Sequence, residues 1–180
     1  MKKVLVIMLA VLMLTFSAVC AQETDTVQEI NWEDIATAAE ETIQAGSFYK
    51  VSDLGIMMWV PDALHETELT DEDIDNGYIS YMTTEDGDAV VAVILADAGV
   101  ESLEAWMDAL SGYDDITKLE NGLINGLKAV TYFEPEKDTM NVDFATVDGS
   151  ILEFTFWPMS NEGFSQIASI MSASIQPYEE

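Results

Sequence analysis

The run Ala89-Val-Val-Ala-Val-Ile-Leu-Ala96 is apolar at every position, in a chain that is otherwise heavily acidic. It is too short to span a bilayer and has no polar face to leave in water. Its β-branched residues, and the Glu85-Asp86-Gly87-Asp88 turn signal before it, mark it as a strand. Such a strand must be covered on both sides. The fold is therefore expected to be layered, with this strand inside a sheet and apolar elements packed on each face.

The rest of the chain supplies those elements. Tyr78 to Thr83 is the partner arm of the hairpin. Asn31 is placed to cap a helix in which Trp32, Ile35, Ala39 and Ile43 share a stripe, ended by Gly46. Phe48 to Val51 and Gly55 to Val60 read as strands, the second closed by Pro61. In Glu101 to Ser111, Leu103, Trp106, Met107 and Leu110 recur at helical spacing, and Gly112 stops the helix. Ile116 to Leu119 and the glycine-punctuated Asn121 to Gly126 precede three strands, Leu127 to Phe133, Thr139 to Thr146 and Ile151 to Trp157. In the middle one Met140, Val142 and Phe144 alternate with Asn141, Asp143 and Ala145, which predicts one buried and one wet face. Asn161 to Met171 is a last helix with Phe164, Ile167, Ala168 and Met171 inward. The predicted class is α+β: a single, mostly antiparallel sheet flanked by helices, an α/β/α sandwich, forming one domain over residues 47–180.

Before that domain come two segments of another kind. Met1-Lys2-Lys3, the apolar run Val4 to Phe16 and the small residues Ser17 to Ala21 have the order of an export signal over residues 1–21. Cleavage after Cys20 or after Ala21 satisfies the small-x-small preference equally. Lipidation at Cys20 fits less well, because Ser17 and Val19 occupy positions where a lipoprotein signal has a large aliphatic and a small residue. Residues 22–46 then read as an acidic leader and an N-terminal helix, with Gln22 to Ile30 a mobile tether. If Cys20 leaves with the signal, no thiol remains for disulfides or metal sites.

Charge removes whole function classes. Asp and Glu number 34 against 6 lysines, there is no arginine, and the formal charge is −28. Nucleic acids and anionic membrane surfaces need clustered cations, and none exists here. The expected partner is an envelope or extracellular protein with a basic surface, and divalent cations are the small ligands such a surface could attract.

Catalytic, cofactor-binding and metal residues are assigned nowhere. His65 is the single histidine, and no Gly-x-Ser-x-Gly elbow accompanies it, so it reads as an exposed loop residue. Zinc lacks its usual nitrogen and sulfur ligands. Asp71, Asp73 and Asp75 alternate as in a calcium loop, yet Gly77 is one place late and Met82 stands where a bidentate glutamate belongs. Thr70 with Asp73 reads instead as a capping box. Asp86-Gly87-Asp88 and Asp114-Asp115 read as turns, and Met57, Met58, Met140 and Met171 as packing residues. A hydrolase using two carboxylates is an alternative, although no pair is singled out.

The layout resembles the PsbP/Mog1/DcrB-like group of small exported domains. The residues that carry the resemblance are Phe48-Tyr49, Gly55-Ile56-Met57-Met58-Trp59-Val60-Pro61, Ser102-Leu103-Glu104, Asn125-Gly126-Leu127, Asp148-Gly149 with Ile151 to Phe156, and Phe164 through Ile170 to Ser174-Ile175. It covers roughly Phe48 to Gln176. The resemblance implies a non-catalytic accessory or binding domain, and brings no catalytic residue with it. The expected function is accordingly an exported accessory or binding domain, with a calcium-stabilised interaction module as a further alternative.

Overall fold

The computed structural model describes residues 28–51 and 54–178. The export signal read at 1–21, Cys20 included, lies outside the described residues. The strands are β1 (Gln28–Ile30), β2 (Gly46–Val51), β3 (Ile56–Pro61), β4 (His65–Glu66), β5 (Tyr78–Thr83), β6 (Val90–Ala96), β7 (Thr117–Ile124), β8 (Leu127–Glu134), β9 (Thr139–Ala145), β10 (Ile151–Trp157) and β11 (Gln176–Pro177). The helices are α1 (Trp32–Ala38), α2 (Glu40–Ile43), α3 (Asp71–Asp75), α4 (Leu103–Leu110) and α5 (Glu162–Ala173). An eight-stranded sheet runs β1-β7-β8-β9-β10-β6-β5-β4, antiparallel except where β1 lies parallel to β7. The protein is α+β, as the sequence predicts.

Two apolar layers hold the main sheet. On one face Val91, Val93, Val142, Phe144, Leu152, Phe154 and Phe156 meet Phe164, Ala168 and Met171 of α5, together with Met58 and Val60 of β3. On the other face α4 lays Leu103, Trp106 and Leu110 over Val130, Tyr132 and Ile151. Ser102 caps α4 by accepting from Ala105 N at 3.1 Å, and Asn161 caps α5 by accepting from Gly163 N and Phe164 N. As expected, β6 is inside the sheet, paired to β10 and β5, with Val91 to Val93 buried.

The strands at Phe48 and Gly55 do not enter the main sheet; with β11 they form a separate sheet in the order β11-β3-β2. The reason lies in β3, where Met58, Trp59 and Val60 are all buried and both faces need cover. The N-terminal helical segment supplies part of it, since Trp59 Nε1 donates to Ile43 O at 3.0 Å. Gly46 has no room for a Cβ, which would lie 2.4 Å from Val60 O and 2.6 Å from the Trp59 ring.

Three local expectations are corrected. Gln28–Ile30 is not tether but β1, in register with Gly122 to Ile124, and Ile30, Trp32 and Ile43 pack on the core. The N-terminal helix is two helices broken at buried Ala39, and Asn31 makes no side-chain cap bond. The segment read as Ile116–Leu119 plus a glycine-rich loop is one strand, β7, closed by a two-residue Asn125-Gly126 turn with φ of 48° and 81°. Positive φ at both positions suits the twist of a tight hairpin.

Asn125 does more than turn the chain. Its Oδ1 accepts from Trp32 N at 2.5 Å, one of the first-turn N–H groups of α1 that have no partner within the helix. Its Nδ2 donates to Ala173 O at 2.9 Å and to Ile175 O at 2.8 Å, satisfying carbonyls at the end of α5. One side chain thus ties the first helix, the β7–β8 hairpin and the last helix.

Candidate functional site

β9 departs furthest from its expected environment. Thr139 through Phe144 are all buried, so the strand has no wet face. Asn141 is 1% exposed and Asp143 0%. Alternation of polar and apolar residues normally marks one solvated face, but here α4 is laid across the polar side.

The result is a buried polar row. Trp106 Nε1, from α4, donates to Asp143 Oδ2 at 2.5 Å, and Asp143 Oδ1 has no partner among the described residues. Register places Glu153 of β10 opposite Asp143, and Tyr132 of β8 opposite Asn141. Tyr132 Oη donates to Glu153 Oε2 at 2.7 Å, while Thr155 donates to Glu153 Oε1 at 3.0 Å. Asn141 Nδ2 donates to Glu134 Oε2 at 3.1 Å, and Lys137 Nζ reaches Glu134 Oε1 at 2.5 Å.

Electrostatics follow from that placement. Burial, with the Glu153 and Glu134 charges behind it, pushes the Asp143 carboxyl up to about 8, against the opposing bond from Trp106. Burial chiefly, then the surrounding carboxylates, raise the Tyr132 phenol. Both effects favour the protonated carboxyl of Asp143 over the carboxylate. Sealed from solvent, it holds α4 to the sheet through Trp106.

Residues singled out in the sequence fall elsewhere and apart from one another. His65 is exposed in β4, paired with Thr83 at the sheet edge, where a loop was expected. Asp71, Asp73 and Asp75 lie in α3, and Thr70 donates to Asp73 Oδ2 from its N at 2.8 Å and from its hydroxyl at 2.7 Å. Those bonds hold the Asp73 carboxyl below its ordinary range. Among the described residues no group of three or more His, Cys, Asp or Glu is arranged to hold a metal ion. Because its central carboxylate is engaged by Thr70, millimolar Ca²⁺ is expected to shift the melting temperature no more than NaCl of equal ionic strength. A larger shift with Ca²⁺ in thermal unfolding would restore the calcium reading. Asp86 and Asp148 sit in turns, and Met58, Met140 and Met171 are core residues.

The surface shows a second pattern, in how its cations are used. Lys50 lies over the Tyr178 ring at 4.4 Å, and Lys118 over the Phe133 ring at 4.6 Å. Lys128 pairs with Glu104 at 3.2 Å and Lys137 with Glu134 at 2.5 Å. Every lysine among the described residues is engaged within the fold, against a formal charge of −28.

One cleft of about 220 Å³ opens beside α4, between it and the β7–β8 end of the sheet. Leu103, Met107, Leu123 and Val130 line it, and Glu104 and Lys128 stand at its rim. Asp143 and Glu153 are not among its lining residues.

No family model matches the chain, and no curated protein matches it in sequence. In structure it is similar to the solution structure of cyanobacterial PsbP (CyanoP) from Synechocystis sp. PCC 6803, at 15% sequence identity and a TM-score of 0.48. The match covers 74% of this chain and 93% of that chain. At that identity the likeness is one of architecture alone. No helix among the described residues is long and apolar enough to cross a membrane.

Proposed function

We propose that this protein is an exported, non-catalytic binding or accessory domain that engages a cationic protein partner through its acidic surface. The observation that carries the reading is that each of the four described lysines is already taken up by an aromatic ring or a carboxylate of the same chain, which leaves the remaining carboxylates without a cation. A field of one sign over a whole surface accelerates encounter with a basic partner and repels nucleic acids and anionic lipid. The raised carboxyl of Asp143, which a hydrolase would need in a cleft, is instead sealed beneath α4. The signal-like residues 1–21 support export.

The test is capture from the exported-protein fraction of the host on the immobilised protein, with polyglutamate of equal charge as control. Proteins retained by the domain but not by polyglutamate, released by 0.5 M NaCl and of high isoelectric point, are the expected result. An eluate no more basic than the input, or one identical to the polyglutamate eluate, overturns it.

A further inference from the structure

We infer that the cleft beside α4 is the docking site for a basic segment of the partner carrying one large apolar anchor residue. The inference rests on the cationic-partner reading and assigns that reading a place. The cleft's volume of about 220 Å³ is below the range of sites for small organic ligands and suits one or two side chains. Its walls are Leu103 and Met107 of α4, and its floor is Leu123 and Val130 of the sheet.

Charge around the opening selects the occupant. Glu104 and Asp108 lie four residues apart on α4 and so share a face of it. Glu104 is itself at the rim. On the other side, Glu29 of β1 is in register with Leu123, which puts it on the same face of the sheet as the floor. Lys128 is the lysine at this rim, and it is paired with Glu104. An apolar slot between carboxylates fits a leucine or phenylalanine flanked by lysines or arginines. The apolar residue supplies the buried area, and its neighbours supply the charge match.

Two synthetic peptides of equal charge test this, Lys-Lys-Leu-Lys-Lys and Lys-Lys-Ser-Lys-Lys, titrated into the purified protein and followed by NMR and calorimetry. The leucine peptide is expected to bind at least about tenfold more tightly, the effect of burying one large aliphatic side chain. Its shifts should centre on Leu103, Met107, Leu123 and Val130. Met107→Gln is expected to erase most of the difference between the peptides while leaving the salt-dependent binding of the serine peptide intact. The wild-type shift map does not depend on that variant folding. Equal affinities for the two peptides, or shifts that centre elsewhere, overturn the cleft assignment and leave the cationic-partner reading standing. Binding of neither peptide in 50 mM NaCl overturns both.

Discussion

Asp143→Asn is expected to stabilise the protein at pH 8, by about 2 kcal/mol, and to flatten its stability between pH 5 and pH 8. Burial raises the folded-state carboxyl to about 8 from an ordinary 3.8. Below 3.8 folded and unfolded chains both carry the proton, and Asp143 adds no pH dependence. Between the two values the folded chain holds a proton that the unfolded chain has released. Stability therefore falls as pH rises through that window, with a limiting slope of about 1.4 kcal/mol per pH unit. Above about 8 the slope from this residue ends. The wild-type protein should consequently gain stability on mild acidification, in the direction that relief of its general self-repulsion also pushes. Asparagine keeps an acceptor for Trp106 Nε1 and removes the ionisation. Urea unfolding at pH 5, 6.5 and 8 measures both slopes. A variant that keeps the wild-type slope, or gains nothing at pH 8, would show that another group holds the proton.

Asn125→Ala is expected to cost about 3 kcal/mol and to lower the melting temperature by roughly 10 °C. Two effects combine. Alanine at a φ of 48° is strained where asparagine is tolerated. The substitution also strands Trp32 N and the carbonyls of Ala173 and Ile175. Asn125→Gly separates the effects, because glycine accepts the backbone conformation and loses only the side-chain bonds. It should recover about 1 kcal/mol of the loss. If glycine and alanine melt together, backbone strain at this turn is negligible. If both melt with the wild type, the three bonds contribute nothing.

What could be read from the sequence, and what could not, divides by range. The helix at Leu103–Leu110 and the hairpin around Asp86-Gly87 are specified by residues a few positions apart, and both were legible. So was the Thr70–Asp73 capping box. β9 was legible as a strand, but its environment was not, because Asn141 and Asp143 look solvated until a helix some forty residues earlier covers them. Trp106 held the one available signal: an indole N–H on the buried stripe of α4 needs an acceptor, and Asp143 is a polar residue on a strand otherwise rich in apolar ones. β1 was missed for the same kind of reason. Gln28–Ile30 has no local strand pattern, and its partner at Gly122–Ile124 lies far along the chain. The cleft beside α4 was invisible, since its lining comes from α4, β7 and β8, which only the fold brings together.

The joint at Asn125 has a consequence for how the chain comes into being. It unites Trp32, the β7–β8 turn and the carbonyls of Ala173 and Ile175, so it cannot close until the chain has been made as far as Ile175. The bond from Trp59 N to Ser174 Oγ, across 115 positions, imposes the same delay. A nascent chain would stay loose until its last helix arrives, and only then lock. Late locking of this kind fits the export proposed above, in which a chain is threaded through a narrow channel before it acquires shape.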